Sequence, residues 1–403
     1  MKHRLNKAVI LGAAGALALT AVPLLAGSVS GASSKPTYTI GVQGPFTGSD
    51  ADYGDYDYAG VEFAVSQANA SGKYNFTLET EKFDDQGSST VAPGAAQKAV
   101  GTANLVAIVG PAFSGASQVS YKYYHAANIA EVSPSATAVA LASGSDSSFF
   151  RTVADDSVQG GADASYLVKT KGEKKITVIG DESFYGAGLA KAVATDAAAL
   201  GATVTTKSIA NFNEGGGGNA GAYSTLATSL AQADPPAIFY GGYAPEFGLL
   251  LGDLAADGYT TTKHVIMSGD GSNDPSLMTS TSPAKAANGA YLSESATGKV
   301  SYFTGKLAKE FTALTKVKAS IAIYAAQSYD AANAIIKALV ADKATSSIPT
   351  LRKETVASLH KVSFTGVTGP ISFQADGNLQ VDKGSVQISK VEKGKIVLVT
   401  SVG

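Results

Sequence analysis

Five short apolar runs punctuate this chain, each the length of one buried strand and each followed by polar or aromatic residues. They are Leu105–Gly110 ahead of Ser114, Ile129–Ser133 ahead of Ser135 and Thr137, Ile176–Gly180 ahead of Tyr185, Ala237–Gly241 ahead of Tyr243, and Val265–Ser268 ahead of Asp270. Helix-length patterns separate most of them. Such alternation implies mainly parallel sheets covered by helices on both faces. In open sheets of that kind the ligand crevice lies beyond the carboxyl ends of the strands. Five strand ends carrying hydroxyls, rings and one carboxylate therefore outline a binding cleft.

The rhythm runs in two sets. Strand Tyr38–Gln43, helix Gly54–Asn69, strand Phe76–Phe83 and helix Pro93–Thr102 lead to the Leu105 run. Phe149–Asp155 reads as irregular, and the pattern restarts at Lys175–Gly180. Helix Gly188–Leu200, strand Thr203–Ile209, helices Ser224–Gln232 and Pro245–Asp257 and strand Lys263–Ser268 fill the second set. A long helix near Ile323–Ala341 and terminal strands at Gly369–Phe373, Ser385–Lys390 and Lys395–Val399 exceed what either set needs. The chain is thus expected to return and complete both sets, leaving several connecting strands as a hinge.

Lys2, Arg4 and Lys7 precede an apolar stretch from about Ala8 to Leu25, and small residues follow as far as Ser30-Gly31-Ala32. That order reads as a secretory signal peptide over 1–32; an uncleaved anchor is the competing reading, since the run approaches the length that spans a bilayer. Losing those three cations from 31 Lys+Arg against 33 Asp+Glu takes the net charge from −2 to −5. A mildly acidic chain offers no basic face to nucleic acid. Cysteine is absent, which excludes disulfides, thiolate metal sites, cysteine nucleophiles and a lipidated N-terminal cysteine. An exported chain without staples needs a sizeable core, and roughly 370 remaining residues favour two domains. Gly215–Gly218 reads as a flexible surface loop: Asn219 and Ala220 follow where a phosphate loop needs Lys and Ser/Thr.

The segment Gly110 to Gln118 joins a buried strand to a helical pattern. Its small residues admit a ligand to the backbone, and free N–H groups at a helix start attract an anion, with the Ser114 hydroxyl as a further donor. Ser114 would serve equally as a helix cap without a ligand. Val132 to Thr137 repeats the arrangement, and two such strand ends together could hold a carboxylate from two sides without arginine. Asp270, between Gly269 and Gly271, is either a turn residue or a cleft carboxylate suited to an ammonium group. Tyr53, Tyr185 and Tyr243, each near glycine after a strand, offer rings with a polar tip as walls. Catalytic readings find little support. His3, His125, His264 and His360 lack metal spacing, Asp84-Asp85 reads as a strand-end turn, and no Gly-x-Ser-x-Gly elbow occurs.

At Asp52-Tyr53-Gly54, Phe83-Asp84-Asp85, Gly110 to Gln118, Ser133 to Thr137, Tyr185-Gly186, Tyr240 to Tyr243 with Pro245-Glu246, and Gly369-Pro370, the chain resembles the periplasmic leucine/isoleucine/valine-binding proteins of ABC transporters. The resemblance runs from about Tyr38 to Gly377. It implies an α/β fold of two Rossmann-like lobes with mainly parallel central sheets, joined by a three-strand hinge, with the ligand cleft between them. The lobes would be 36–153 plus 293–368 and 154–292 plus 369–403. Ser114 and Thr137 would bind an α-carboxylate; the Ser135 carbonyl, the Thr137 hydroxyl and Asp270 an α-ammonium; Tyr53, Tyr185, Tyr243 and Tyr324 the side chain. The family often has glutamate where Asp270 stands, and its familiar member has a cysteine and a serine where Phe113 and Gly115 stand. The implied function is capture of an apolar, branched-chain L-amino acid by a monomer outside the cytoplasm and delivery to an ABC permease, with no cofactor, metal or catalysis. An amide, urea or aromatic acid is the alternative ligand, and sensing the alternative to transport.

Overall fold

Every residue of strand β1 (Thr37–Gly44) after the first is buried, because strands on both sides and helices on both faces enclose it. The computed structural model describes residues 35–142, 147–211, 218–295, 303–320, 322–341, 347–381 and 386–402. The segment read as a signal peptide and Gly215–Gly217 lie outside the described residues. From β1 the chain continues through α1 (Ala51–Ser71), β2 (Thr77–Asp84), α2 (Ala92–Gly101), β3 (Leu105–Val109), α3 (Ser114–Ala126), β4 (Ala130–Ser133) and β5 (Phe149–Arg151). These five strands form one parallel sheet in the order β2-β1-β3-β4-β5.

The second set repeats that winding. It comprises α4 (Asp156–Ser165), β6 (Lys175–Asp181), α5 (Gly186–Ala199), β7 (Thr203–Ile209), α6 (Ala220–Ala233), β8 (Ala237–Gly241), α7 (Ala244–Ala256), β9 (Val265–Ser268), α8 (Leu277–Ser280) and β10 (Tyr291–Glu294). The chain then builds α9 (Gly305–Thr315), α10 (Ala325–Ala341), α11 (Ile348–Leu359) and the hairpin of β11 (Ser363–Thr365) and β12 (Pro370–Ser372). Finally β13 (Val386–Glu392) and β14 (Lys395–Val402) add antiparallel strands to the second sheet, whose order is β14-β13-β10-β9-β8-β6-β7. The chain therefore passes between the two sheets after β5, after β10 and again after β12.

In each sheet the winding direction reverses beside the first strand of its set, between β1 and β3 and between β6 and β8. Such a reversal opens a crevice at the strand ends, because the flanking connections leave on opposite faces. Those four strand ends lead to Tyr53, Ser114, Tyr185 and Tyr243. One core of the first sheet packs Ile40, Val42 and Val109 against α1 and against Ile335 and Leu339 of α10. Ile371, Phe373 and Leu379 of the returning chain join that core. The second sheet buries Val178, Phe239 and Ile388 on one face and Ile238, Leu250 and Leu292 on the other.

The stretch Phe149–Asp155, read as irregular, supplies β5. Its three strand residues are fully buried, but three positions cannot display a period. Helix α4 has no sequence signal for a related reason. Its sequence DSVQGGADAS carries two glycines and little apolar surface, and it starts on Asp155, whose carboxylate accepts the Ser157 and Val158 N–H groups.

Candidate functional site

Strand ends from both sheets converge on one small cavity, lined by Tyr53, Ser114, Ser135 and Tyr324 from the first-sheet side and by Tyr185, Tyr243 and Asp270 from the second, with Phe113 among its walls. Its free volume is about 10 Å³, which is no more than one water needs. Three contacts close it across the cleft. Tyr53 Oη donates to the Gly271 carbonyl at 3.0 Å, Tyr324 Oη donates to Asp270 Oδ2 at 2.6 Å, and the Phe113 and Tyr243 rings lie 4.8 Å apart between centroids. Tyr53 stacks beside Tyr324, and Tyr185 lies tilted beside Tyr243. Tyr53 sits in the first turn of α1. Tyr324 directly precedes α10 with φ +59°, a left-handed conformation that costs a non-glycine residue about 1–2 kcal/mol.

The two loops after β3 and β4 are tied to one another. Ser133 Oγ donates to the Pro111 carbonyl at 2.7 Å, and Ser135 Oγ to the Ala112 carbonyl at 2.7 Å. Ser114 Oγ accepts the Ala138 N–H at 3.2 Å. Ser114 is therefore the first residue of α3, with Phe113 in the cap position; the capping role open to it in the sequence is not the one it takes. Gly110 lets the start of the first loop lie close against β1: at φ +108°, a Cβ there would lie 2.1 Å from the Gln43 carbonyl oxygen.

Thr137 departs from the other expected site residues, because it does not line the cavity. It is fully buried behind Ser114, its carbonyl accepts the Asp156 N–H at 2.9 Å, and its hydroxyl lies against the Asp156 carboxyl. That hydroxyl makes no well-formed hydrogen bond among the described residues, and neither Asp156 carboxyl oxygen does. Arg151, at the end of β5, holds this loop in place. Its Nη1 donates to the Ala136 and Ala138 carbonyls at 3.1 and 2.9 Å, and its Nε to Asn378 Oδ1 at 2.7 Å. Sequence reasoning missed Arg151; a lone arginine after two phenylalanines in a buried run was its signal.

Asp270 is buried, and both its oxygens are held. Oδ1 accepts Tyr185 Oη at 2.7 Å and Oδ2 accepts Tyr324 Oη at 2.6 Å. Tyr185 Oη also accepts the Gly271 N–H. Burial pushes the Asp270 carboxyl above its ordinary value, and hydrogen bonds from Tyr324, Tyr185 and Gln159 oppose that rise. The surroundings are acidic. Asp156 and Asp163 are driven well up by burial with the Asp270 charge adding to it, and Glu294 to about 7 for the same two reasons. No lysine, arginine or histidine lines the cavity. The donors on its oxygens are neutral and no cation lines its cavity, so the Asp270 carboxylate suits an ammonium group. The opposite wall offers hydroxyls and the N-terminus of α3, with no carboxylate lining it. The cleft is thus negative at one end and rich in donors at the other. Among the described residues no His/Asp/Glu group could hold a metal, and no helix is long and apolar enough to cross a membrane.

Fold and cleft together define a class, the two-lobed α/β proteins with a small polar-ended site between parallel sheets. Within that class the chain belongs to the periplasmic binding protein family, whose model matches residues 37–395. It is 30% identical over 234 residues to the leucine-, isoleucine-, valine-, threonine- and alanine-binding protein of Pseudomonas aeruginosa, a match covering 58% of this chain and 61% of that one. The match thus spans less than two thirds of that relative. The branched-chain amino acid transporter substrate-binding protein of Streptococcus pneumoniae, solved in complex with isoleucine, superposes with a TM-score of 0.75 at 25% identity, over 90% of this chain and 99% of that one. A leucine-binding protein of Thermotoga maritima shares the fold, with a TM-score of 0.77 at 23% identity over 91% and 99% of the two chains.

Proposed function

We propose that this protein captures a branched-chain or other apolar L-amino acid between its two lobes and delivers it to an ABC permease from outside the cytoplasm. The observation that carries this reading is Asp270: a buried carboxylate among acids, held only by neutral donors and with no cation lining its cavity. Burying such a charge costs several kcal/mol unless a cation compensates it, and an α-ammonium is such a cation. The donor-rich wall at Ser114 and the α3 N-terminus suits the α-carboxylate. The four tyrosines suit an aliphatic side chain, with Tyr185 and Tyr324 also orienting Asp270. The Ser135 carbonyl completes the clamp, and Thr137, off the cavity wall, supports that loop from behind together with Arg151. The relatives named for leucine, isoleucine and valine support the same ligand class.

In this reading the lobes are 36–153 with 293–368 against 154–292 with 369–403, except that Ser293 and Glu294 stay with β10 in the second sheet and Ile371 to Leu379 move with the first core that they pack into. The three passages between sheets form the hinge. Closure is ligand-driven, because a ligand touching both walls favours the closed arrangement by its differential affinity. Binding without catalysis fits Ser114, whose hydroxyl is engaged by a backbone N–H and has no histidine against it among the described residues. A monomer processed by signal-peptide cleavage completes the reading.

Calorimetric titration of the chain from residue 33 with L-leucine, L-isoleucine and L-valine is expected to give saturable binding. Leucinamide and 4-methylpentanoate, each lacking one charge, should bind at least about thirtyfold more weakly. Binding of the deaminated acid as tightly as leucine would remove the ammonium site and favour an organic-acid ligand. A second, smaller effect is expected at Tyr53, whose hydroxyl crosses the cleft to Gly271. Tyr53→Phe should weaken leucine about fivefold, the worth of one hydrogen bond near 1 kcal/mol, mostly as faster dissociation in stopped-flow. An unchanged off-rate would mean that this contact does not report closure.

A further inference from the structure

A second and larger cavity lies on the other side of Tyr324. Its volume is about 350 Å³, and Tyr324 is the one residue it shares with the central site. One wall is the outer part of the second sheet. Glu294 of β10 is paired with Gln387 of β13, Ser389 follows two residues along, and Leu398 of β14 is paired with Ser389. Residues directly opposite, or two apart on one strand, share a sheet face. Glu294, Gln387, Ser389 and Leu398 therefore point the same way, into the cavity they line. Phe303 and Ile323 cover it from the first-sheet side.

The polar groups on this wall are unspent. Among the described residues no side chain or backbone group makes a hydrogen bond or ion pair to the Glu294, Gln387 or Ser389 side chains. Gln387 and Ser389 are buried, and Glu294 is half-buried because its free surface faces the cavity. A core that buries a carboxylate, an amide and a hydroxyl normally pairs them, since each unpaired group costs about 1–3 kcal/mol. Among the described residues no basic side chain lines the space. Among the described residues the charge that acts on Glu294 is that of Asp270, which together with burial disfavours its ionised form.

We propose that this cavity is a second small-molecule site, which takes a primary amine carrying a short alkyl or aryl arm. The ammonium pairs with Glu294, with Gln387 and Ser389 as further acceptors, and the arm lies along Leu398, Ile323 and Phe303. The volume is that of a small-ligand pocket, about 300 Å³ or more. The proposal stands independently of which ligand the central cleft takes.

The test is calorimetric titration with n-hexylamine at about pH 8, where a glutamate raised to near neutrality is ionised, with n-hexanol as the uncharged control. Saturable amine binding is expected, at least about tenfold tighter than the alcohol. Glu294→Gln should cost about tenfold or more, and Asp270→Asn clearly less. Ser389→Phe, which fills the cavity, should abolish amine binding while L-leucine titration proceeds as in the parent. The proposal is overturned by the absence of saturable amine binding to the parent protein. It is equally overturned if Asp270→Asn costs more than Glu294→Gln, which would put the amine in the central cleft, or if the filled variant binds the amine undiminished.

Discussion

Replacing Asp270 by asparagine is expected to weaken L-leucine binding by at least about thirtyfold while leaving the unliganded protein as stable as before, or more so. The first half follows from the pairing. A buried ammonium whose carboxylate partner becomes neutral loses about 2–5 kcal/mol, most of it the cost of leaving the surviving charge without a counter-ion. The second half follows from the neighbours. Asp270 sits near Asp156, Asp163 and Glu294, all of which its charge pushes toward the protonated form. Asparagine keeps the shape, and the hydroxyls of Tyr185 and Tyr324 can turn to suit an amide. It removes a buried charge that nothing compensates in the unliganded cleft. Titration calorimetry and thermal melting of parent and variant check both halves. Affinity for 4-methylpentanoate, which lacks the ammonium, should hold or improve in the variant. Leucine binding within about threefold of the parent would remove Asp270 from the ammonium site, and a large fall in melting temperature would make it a structural residue.

Much of this arrangement was legible in the chain, for identifiable reasons. Parallel strands buried on both faces become continuous apolar runs, so β3, β6 and β8 announce themselves. The winding reversal then guarantees that residues just beyond them meet at a crevice. Ser114, Ser135, Tyr185, Tyr243 and Asp270 could be found by that logic alone. Tyr324 could not: it follows a loop rather than a strand, and only the family resemblance pointed to it. Thr137 was read as a ligand-binding hydroxyl, but the structure turns it away from the cavity against Asp156, and that burial depends on α4, a helix without a readable pattern. Arg151, Gln159 and Asp163 escaped because their partners are backbone carbonyls or residues far along the chain. Ser293, for example, donates to Asp163 and accepts from Gln159. Periodicity reports which face of an element is buried; it is silent on buried polar networks.

Those networks make stability depend on pH in an unusual direction. Burial lifts Asp85 to about 7 against hydrogen bonds from the Gly87 N–H and Gln43, and lifts Asp181 to about 8 against hydrogen bonds from Ser183. Burial and the Asp270 charge lift Glu294 to about 7. An acid whose folded value lies above its unfolded one, about 4, binds more protons in the folded state between the two. Stability then falls as pH rises, and the contribution is complete only below the unfolded value. Each group contributes up to about 1.4 kcal/mol per pH unit in that window. Asp84, held below its ordinary value by Thr47 and backbone N–H groups despite burial, acts oppositely, but only below about pH 4. The unliganded protein is therefore expected to melt at least about 5 °C higher at pH 5 than at pH 8. Asp181→Asn should raise the melting point at pH 8 and leave it nearly unchanged at pH 5, because the native carboxyl is already protonated there. A melting point that is flat or rises between pH 5 and pH 8 would mean that these carboxyls are ionised in the folded protein, with water or a bound cation doing what the protein's own groups do not.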